Sequence, residues 1–184
     1  MDFKWRYLRE PGKREEFLFG VLGPSLRPGD RVLDALCGYS LMSERILSEG
    51  FVLTGFDIHP EPIEWLTANR PSGKWICRPV ESFYVTHELL GFDVIMLLGV
   101  DEPVYTEEFQ AFLGRLLSDN SPRTVLLEAA VGTGTLWFKG YCDSVATALS
   151  SDYMTVRHGQ FDSEYPTDTR IRSYALMKKW RVNR

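Results

Sequence analysis

The segment LDALCGYS, followed about twenty residues on by GFDIHP, holds the residue types best suited to gripping a ligand. Gly38 lets the backbone come close to a ligand where a side chain would block it. A tight strand-to-helix turn aims unpaired N–H groups at the same place. Asp57 closes the next apolar run. A carboxylate there accepts hydrogen bonds from both hydroxyls of a ribose, which amides and cations match less well. These residues predict an adenosine-containing ligand and, by themselves, nothing narrower.

Other side chains could move a proton. Asp101, Glu102 and Tyr105 follow the apolar run FDVIMLLGV, Glu128 lies toward the end of RTVLLEAAV, and His59 follows Asp57. Each has a plainer reading beside the catalytic one. Asp101 and Glu102 precede Pro103 and can introduce a helix, while His59 precedes Pro60 as a cap or ligand contact. His87 and His158 fall on a helix and an edge strand and receive no role. Trp5 and Tyr7, with Trp137, Phe138 and Tyr141, supply rings for an acceptor pocket, weighed evenly against ordinary packing. Gly132, Gly134 and Gly140 would make the loop around Trp137 mobile.

The elements that position these residues follow from apolar spacing. Phe17, Leu18, Val21 and Leu22 predict a helix over 13–22, and others are predicted over 40–47, 60–69, 82–90, 107–117 and 141–149. Between them, RVLDAL, FVLTGFDI, KWICRPV, FDVIMLLGV and RTVLLEAAV read as short buried strands. YMTVRHGQF and RIRSYALMKKW close the chain as alternating strands with no helix between them. The expectation is a doubly wound α/β fold: a mostly parallel, seven-stranded sheet, helices on both faces, and an antiparallel pair at the C-terminal edge. One domain spans 1–184, with a helical or lid segment over 1–29 and a cofactor-binding core over 30–184.

The same residues resemble the class I S-adenosylmethionine-dependent methyltransferases from about Lys13 to Trp180. VLDALCGYS is similar to their first motif, V-L-D-x-G-C-G-x-G, GFDIHP to the second, CRPVESF to the third and FDVIMLLGV to the fourth. The resemblance implies S-adenosylmethionine as cofactor. It implies that Asp34 organises the turn and meets the cofactor's amino group, with Ala35, Leu36, Cys37, Gly38 and Ser40 along its methionine part. It further implies Asp57 on the ribose, with Ile58 and His59 beside it. Val80 and Glu81 would lie at the adenine edge, and Leu97 and Leu98 beneath the sulfonium. Leu36 and Ser40 stand where the family has glycines: Leu36 would narrow the methionine end, and Ser40 would cap the next helix. A dinucleotide-binding protein is the rival reading, but ALCGYS lacks G-x-G-x-x-G.

The 184 residues carry 25 acidic against 21 basic side chains, a formal net charge of −4. That balance lacks the basic footprint of a nucleic-acid binder, and no N-P-P-Y-like turn follows the fourth strand. A small-molecule acceptor is therefore expected, with protein or nucleic acid behind it. Three widely spaced cysteines suggest reduced thiols and no metal site. The charged N-terminus and the lack of a long apolar run predict a cytoplasmic protein with no membrane segment. The stretch 162–172 is a candidate pocket rim or homodimer contact. The second functional reading, motivated by the two replaced glycines, is a cofactor-binding partner or sensor without catalysis.

Overall fold

The computed structural model describes residues 12–78, 85–99, 106–130, 141–143, 145, 153–162 and 171–179. Seven strands form one sheet: β1 (Arg31–Ala35), β2 (Val52–Asp57), β3 (Lys74–Cys77), β4 (Val94–Leu98), β5 (Thr124–Ala130), β6 (Tyr153–Asp162) and β7 (Ile171–Lys179). Their order is β3-β2-β1-β4-β5-β7-β6. The first five are mutually parallel, and β7 runs antiparallel to both β5 and β6. The expected architecture is the observed one.

Among the described residues, the helices are α1 (Lys13–Leu22), α2 (Ser43–Ser48), α3 (Pro60–Asn69) and α4 (Glu107–Asn120), and 141–143 are helical as well. Leu18, Val21 and Leu22 of α1 join Met42, Ile46 and the strand residues Val32, Leu53 and Val94 in one buried layer. Phe109, Phe112, Leu113, Leu116 and Leu117 of α4 pack with Leu33, Ile95 and Val125 in another. Consecutive strand residues face opposite sides, so Val32 and Leu33 serve the two layers in turn. Both sides of a parallel strand are then apolar, which is why these strands read as continuous hydrophobic runs.

Three elements differ from their expected limits. The helix after β1 begins at Ser43 rather than Ser40, because Ser40 sits at φ +49°, a left-handed conformation that a right-handed helix cannot contain. The helix expected up to residue 90 is, among the described residues, a single 3₁₀ turn over His87–Leu89. The helix expected to end near residue 117 runs on to Asn120 and stops at left-handed Ser121. No helix among the described residues is long and apolar enough to cross a membrane.

Strand order reverses at β1, which has β2 on one side and β4 on the other. Parallel connections leave that point in opposite directions and open a crevice at the carboxyl ends of the strands. Asp34 and Asp57, near the ends of β1 and β2, come to its floor.

Candidate functional site

The turn after β1 has a left-handed residue at every second position: Leu36 at φ +56°, Gly38 at +50° and Ser40 at +49°. A side chain in this region costs on the order of 1–3 kcal/mol, so other contacts must hold the turn. Several do. The Cys37 N–H donates to the Phe56 carbonyl at 2.9 Å, and the Ser40 N–H to the Cys37 carbonyl at 2.7 Å. Leu36, expected to narrow the crevice, packs against the α4-side core instead. Ser40, expected to cap a helix, donates its hydroxyl to Asp34 Oδ2 at 2.6 Å. The backbone shape a glycine would adopt thus survives at both replaced positions.

Asp57 secures the turn from β2. Its Oδ2 accepts the Gly38 N–H at 2.8 Å and its Oδ1 accepts the His59 N–H at 2.9 Å. A carboxylate offers about four acceptor positions, so two bonds leave capacity for two hydroxyls. A Cβ built on Gly38 would meet nothing within 4 Å, so the space over the turn is open. His59 precedes α3 without a side-chain capping bond and is exposed. Ile58 is half-buried beside it. Ala35 is fully buried.

Electrostatics mark the same floor. Burial pushes the Asp34 carboxyl up from 3.8 to about 7, the nearby charge of Asp57 adds to this, and the Ser40 hydrogen bond and Arg14 oppose it. Burial, with Asp34 and Asp57 nearby, also holds the Cys37 thiol well above its ordinary range. Cys37 is packed with Ile63 and Leu66. It is therefore poorly placed to act as a nucleophile.

Within β5 lies the centre of a cluster that the sequence reading missed. Glu128 is fully buried and meets Arg14 of α1 in two bonds, Nε to Oε1 at 3.2 Å and Nη2 to Oε2 at 2.7 Å. Arg172 of β7 donates to Oε1 at 2.9 Å, and the Gly99 N–H to Oε2 at 2.7 Å. Burial pushes the Glu128 carboxyl upward, but the two guanidinium groups outweigh it and leave the group below its ordinary value. As a general base Glu128 is misplaced: both oxygens are already occupied by donors. Two signals could have shown this. Glu128 interrupts an apolar strand, and Arg14 falls on the same helical face as Leu18, Val21 and Leu22.

Leu97, expected beneath the sulfonium, is fully buried in the α4-side core, while Leu98 is half-buried. Tyr141, expected on the acceptor pocket's rim, is also fully buried in that core. It fills volume rather than facing a ligand. Val80, Glu81, Asp101, Glu102, Tyr105, Trp5, Tyr7, Trp137 and Phe138 lie outside the described residues, as does most of the stretch 162–172. The structure therefore brings together Asp34, Gly38, Ser40 and Asp57, with the backbone of His59.

No family model matches this sequence, and no curated protein matches it. Solved structures do resemble the fold. The methyltransferase domain of bacterial CtHen1 superposes with a TM-score of 0.69 at 17% identity, over 90% of this chain and 97% of that one. A TehB-like SAM-dependent methyltransferase from Corynebacterium glutamicum gives 0.68 at 17% identity, over 96% and 94%. The fold is that of the class I methyltransferases. A tRNA (uracil-54, C5)-methyltransferase from Pyrococcus abyssi, crystallised with S-adenosyl-L-homocysteine, shares this methyltransferase fold at a TM-score of 0.62 and 16% identity. There the match covers 89% of this chain and 38% of the larger one. At such identities the likeness concerns the methyltransferase fold alone, and residue roles rest on the geometry above.

Proposed function

We propose that this chain binds S-adenosylmethionine across the ends of β1 and β2 and transfers its methyl group to a small-molecule acceptor. The observation that carries this reading is the left-handed turn at 36, 38 and 40, braced by Asp57 and open above Gly38. A nucleoside with a polar tail suits that cradle. Asp57 has acceptor capacity left for ribose hydroxyls. Asp34, whose carboxyl is poised near 7 by burial, would become fully charged beside an ammonium group.

Bound there, S-adenosylmethionine supplies a methyl group on a sulfonium that already leaves readily. The chain's own task is then mostly alignment and exclusion of water. Gly38 leaves room for the ligand, and the Ser40–Asp34 bond fixes the turn that surrounds it. A base is required only if the acceptor gives up a proton on methylation. Asp101, Glu102, Tyr105 and His59 are the candidates for it, and Glu128 is excluded by its arginines. On sequence grounds alone, Val80 and Glu81 would meet the adenine edge, and Trp5, Tyr7, Trp137 and Phe138 the acceptor.

A net charge of −4 supports a small acceptor over a polyanion. RNA is the second reading, favoured by the tRNA-methylating neighbour. Calorimetry with S-adenosylmethionine and S-adenosylhomocysteine tests the cofactor. Release of S-adenosylhomocysteine across small acceptors, peptides and RNA tests the rest. Binding with no turnover on any of them points to a partner or sensor subunit; no binding at all ends the proposal.

A further inference from the structure

Apart from the crevice, a cavity of about 600 Å³ opens between α1, the six-residue α2 and α3. Three rings contribute to its wall: Phe19 from α1, Tyr39 from the left-handed turn and Trp65 from α3. Tyr39 and Trp65 meet edge to face with centroids 5.6 Å apart. Phe19 and Trp65 also each face a guanidinium group. Arg45 sits over Phe19 at 4.9 Å, and Arg70 over Trp65 at 5.5 Å.

Each arginine is also matched by a carboxylate, Arg45 by Glu49 at 3.0 Å and Arg70 by Glu44 at 2.7 Å. The other two charged side chains in the wall are both acidic, Glu15 and Glu16. With Arg45 and Arg70 each matched by a carboxylate, exposed Glu16 adds negative charge to the described wall. Ring faces attract cations through their quadrupole, and a surplus of carboxylate repels anions. Arg45 is the guest most easily displaced: its side chain is 61% exposed, and such surface pairs contribute at most about 1 kcal/mol.

We propose that this cavity binds an organic cation, a guanidinium or ammonium group on an aliphatic stem, which takes Arg45's place over Phe19 with Glu16 on the rim. The cation could belong to a free small molecule or to a basic side chain of a peptide, since both present the same head group. Ser40 also lines this cavity while its hydroxyl is bonded to Asp34. Occupancy here therefore bears on the turn that forms the crevice, and any coupling between the two sites must be reciprocal.

The test needs no cofactor, so its outcome is separate from that of the methyl-transfer reading. Agmatine, which carries a guanidinium and an ammonium group on one butyl stem, and an end-blocked Gly-Arg-Gly peptide are titrated into the full chain by calorimetry and by indole N–H shifts, with 1-butanol and citrate as controls. Saturable agmatine binding is expected, weakened about threefold to tenfold by Glu16→Gln and more by Phe19→Leu. Glu16 is exposed, so the first variant leaves the fold intact and stays informative if the second unfolds. Binding of the peptide as well would identify a side chain as an acceptable source; binding of agmatine alone would identify the free cation. The proposal is overturned if neither probe saturates, if butanol binds as well as agmatine, or if Glu16→Gln changes nothing.

Discussion

Glu128 and Arg14 stand 114 positions apart in the chain and meet in the interior, Nη2 2.7 Å from Oε2. With Arg172 on the other oxygen, they tie α1 to β5 and β7. Removing one member of a buried ion cluster leaves uncompensated charge and costs about 3–5 kcal/mol. Glu128→Gln should lower stability by that order, read as a shift in the urea midpoint. Replacing Arg14, Glu128 and Arg172 together by apolar residues of similar volume should recover most of the loss, since the cluster's own net contribution is small. A wild-type midpoint for Glu128→Gln would refute the arrangement.

Asp34 predicts a pH dependence of stability. Its folded value of about 7 stands above the ordinary 3.8, so the native protein keeps a proton that the unfolded chain has released. Its contribution is fully present below about pH 4 and falls as pH rises toward 7, levelling off above that. Asp34→Asn should remove this slope. Across that window the difference between wild type and variant should reach a few kcal/mol, on the order of 4. Parallel stability curves for the two proteins would contradict the burial-driven shift.

The same group should register the cofactor. An ammonium next to Asp34 favours its charged form, so binding S-adenosylmethionine near pH 6 should release a proton. Calorimetry in buffers of different ionisation enthalpy measures that proton directly. Asp34→Asn should release none, whatever its affinity.

Asp57 and Gly38 bear on both binding and stability. Asp57→Ala removes the acceptor for two N–H groups as well as the proposed ribose contact. It should weaken cofactor binding by about 1–3 kcal/mol and destabilise the turn. Gly38→Ala places a Cβ at φ +50°, costing about 1–2 kcal/mol of stability even with space around it. Because that space is where the ligand would lie, affinity should fall further. Unchanged affinity in both variants would place the cofactor elsewhere.

Much of the fold was legible because its cause is local. Val94–Leu98 is a continuous apolar run and Thr124–Ala130 is one broken only by Thr124 and Glu128, the pattern expected of a strand buried on both faces. The start and the buried face of α4 were readable from a stripe of five apolar residues, whereas its last turn, to Asn120, was not. The turn was harder. A reader of residues expects glycine wherever φ is positive, yet Leu36 and Ser40 hold such angles because a core contact and a bond to Asp34 offset the strain. Tyr141 shows the limit from the other direction: an aromatic ring at that point of the sequence suits either a pocket or the core, and only packing distinguishes them.

The sequence alone determined the order of strands and helices, the crevice at the reversal beside β1, and the pairing of a bare backbone bend with Asp57. Periodicity and turn chemistry act within a few residues, so they can be read without knowing what packs where. Tertiary structure decided that Glu128 belongs to two arginines and that Ser40 serves Asp34 rather than a helix. It also decided that Phe19, Tyr39 and Trp65 share one cavity. Hydrogen bonds and desolvation depend on distance in space, and positions such as 14 and 128 acquire one only when the sheet has closed between them.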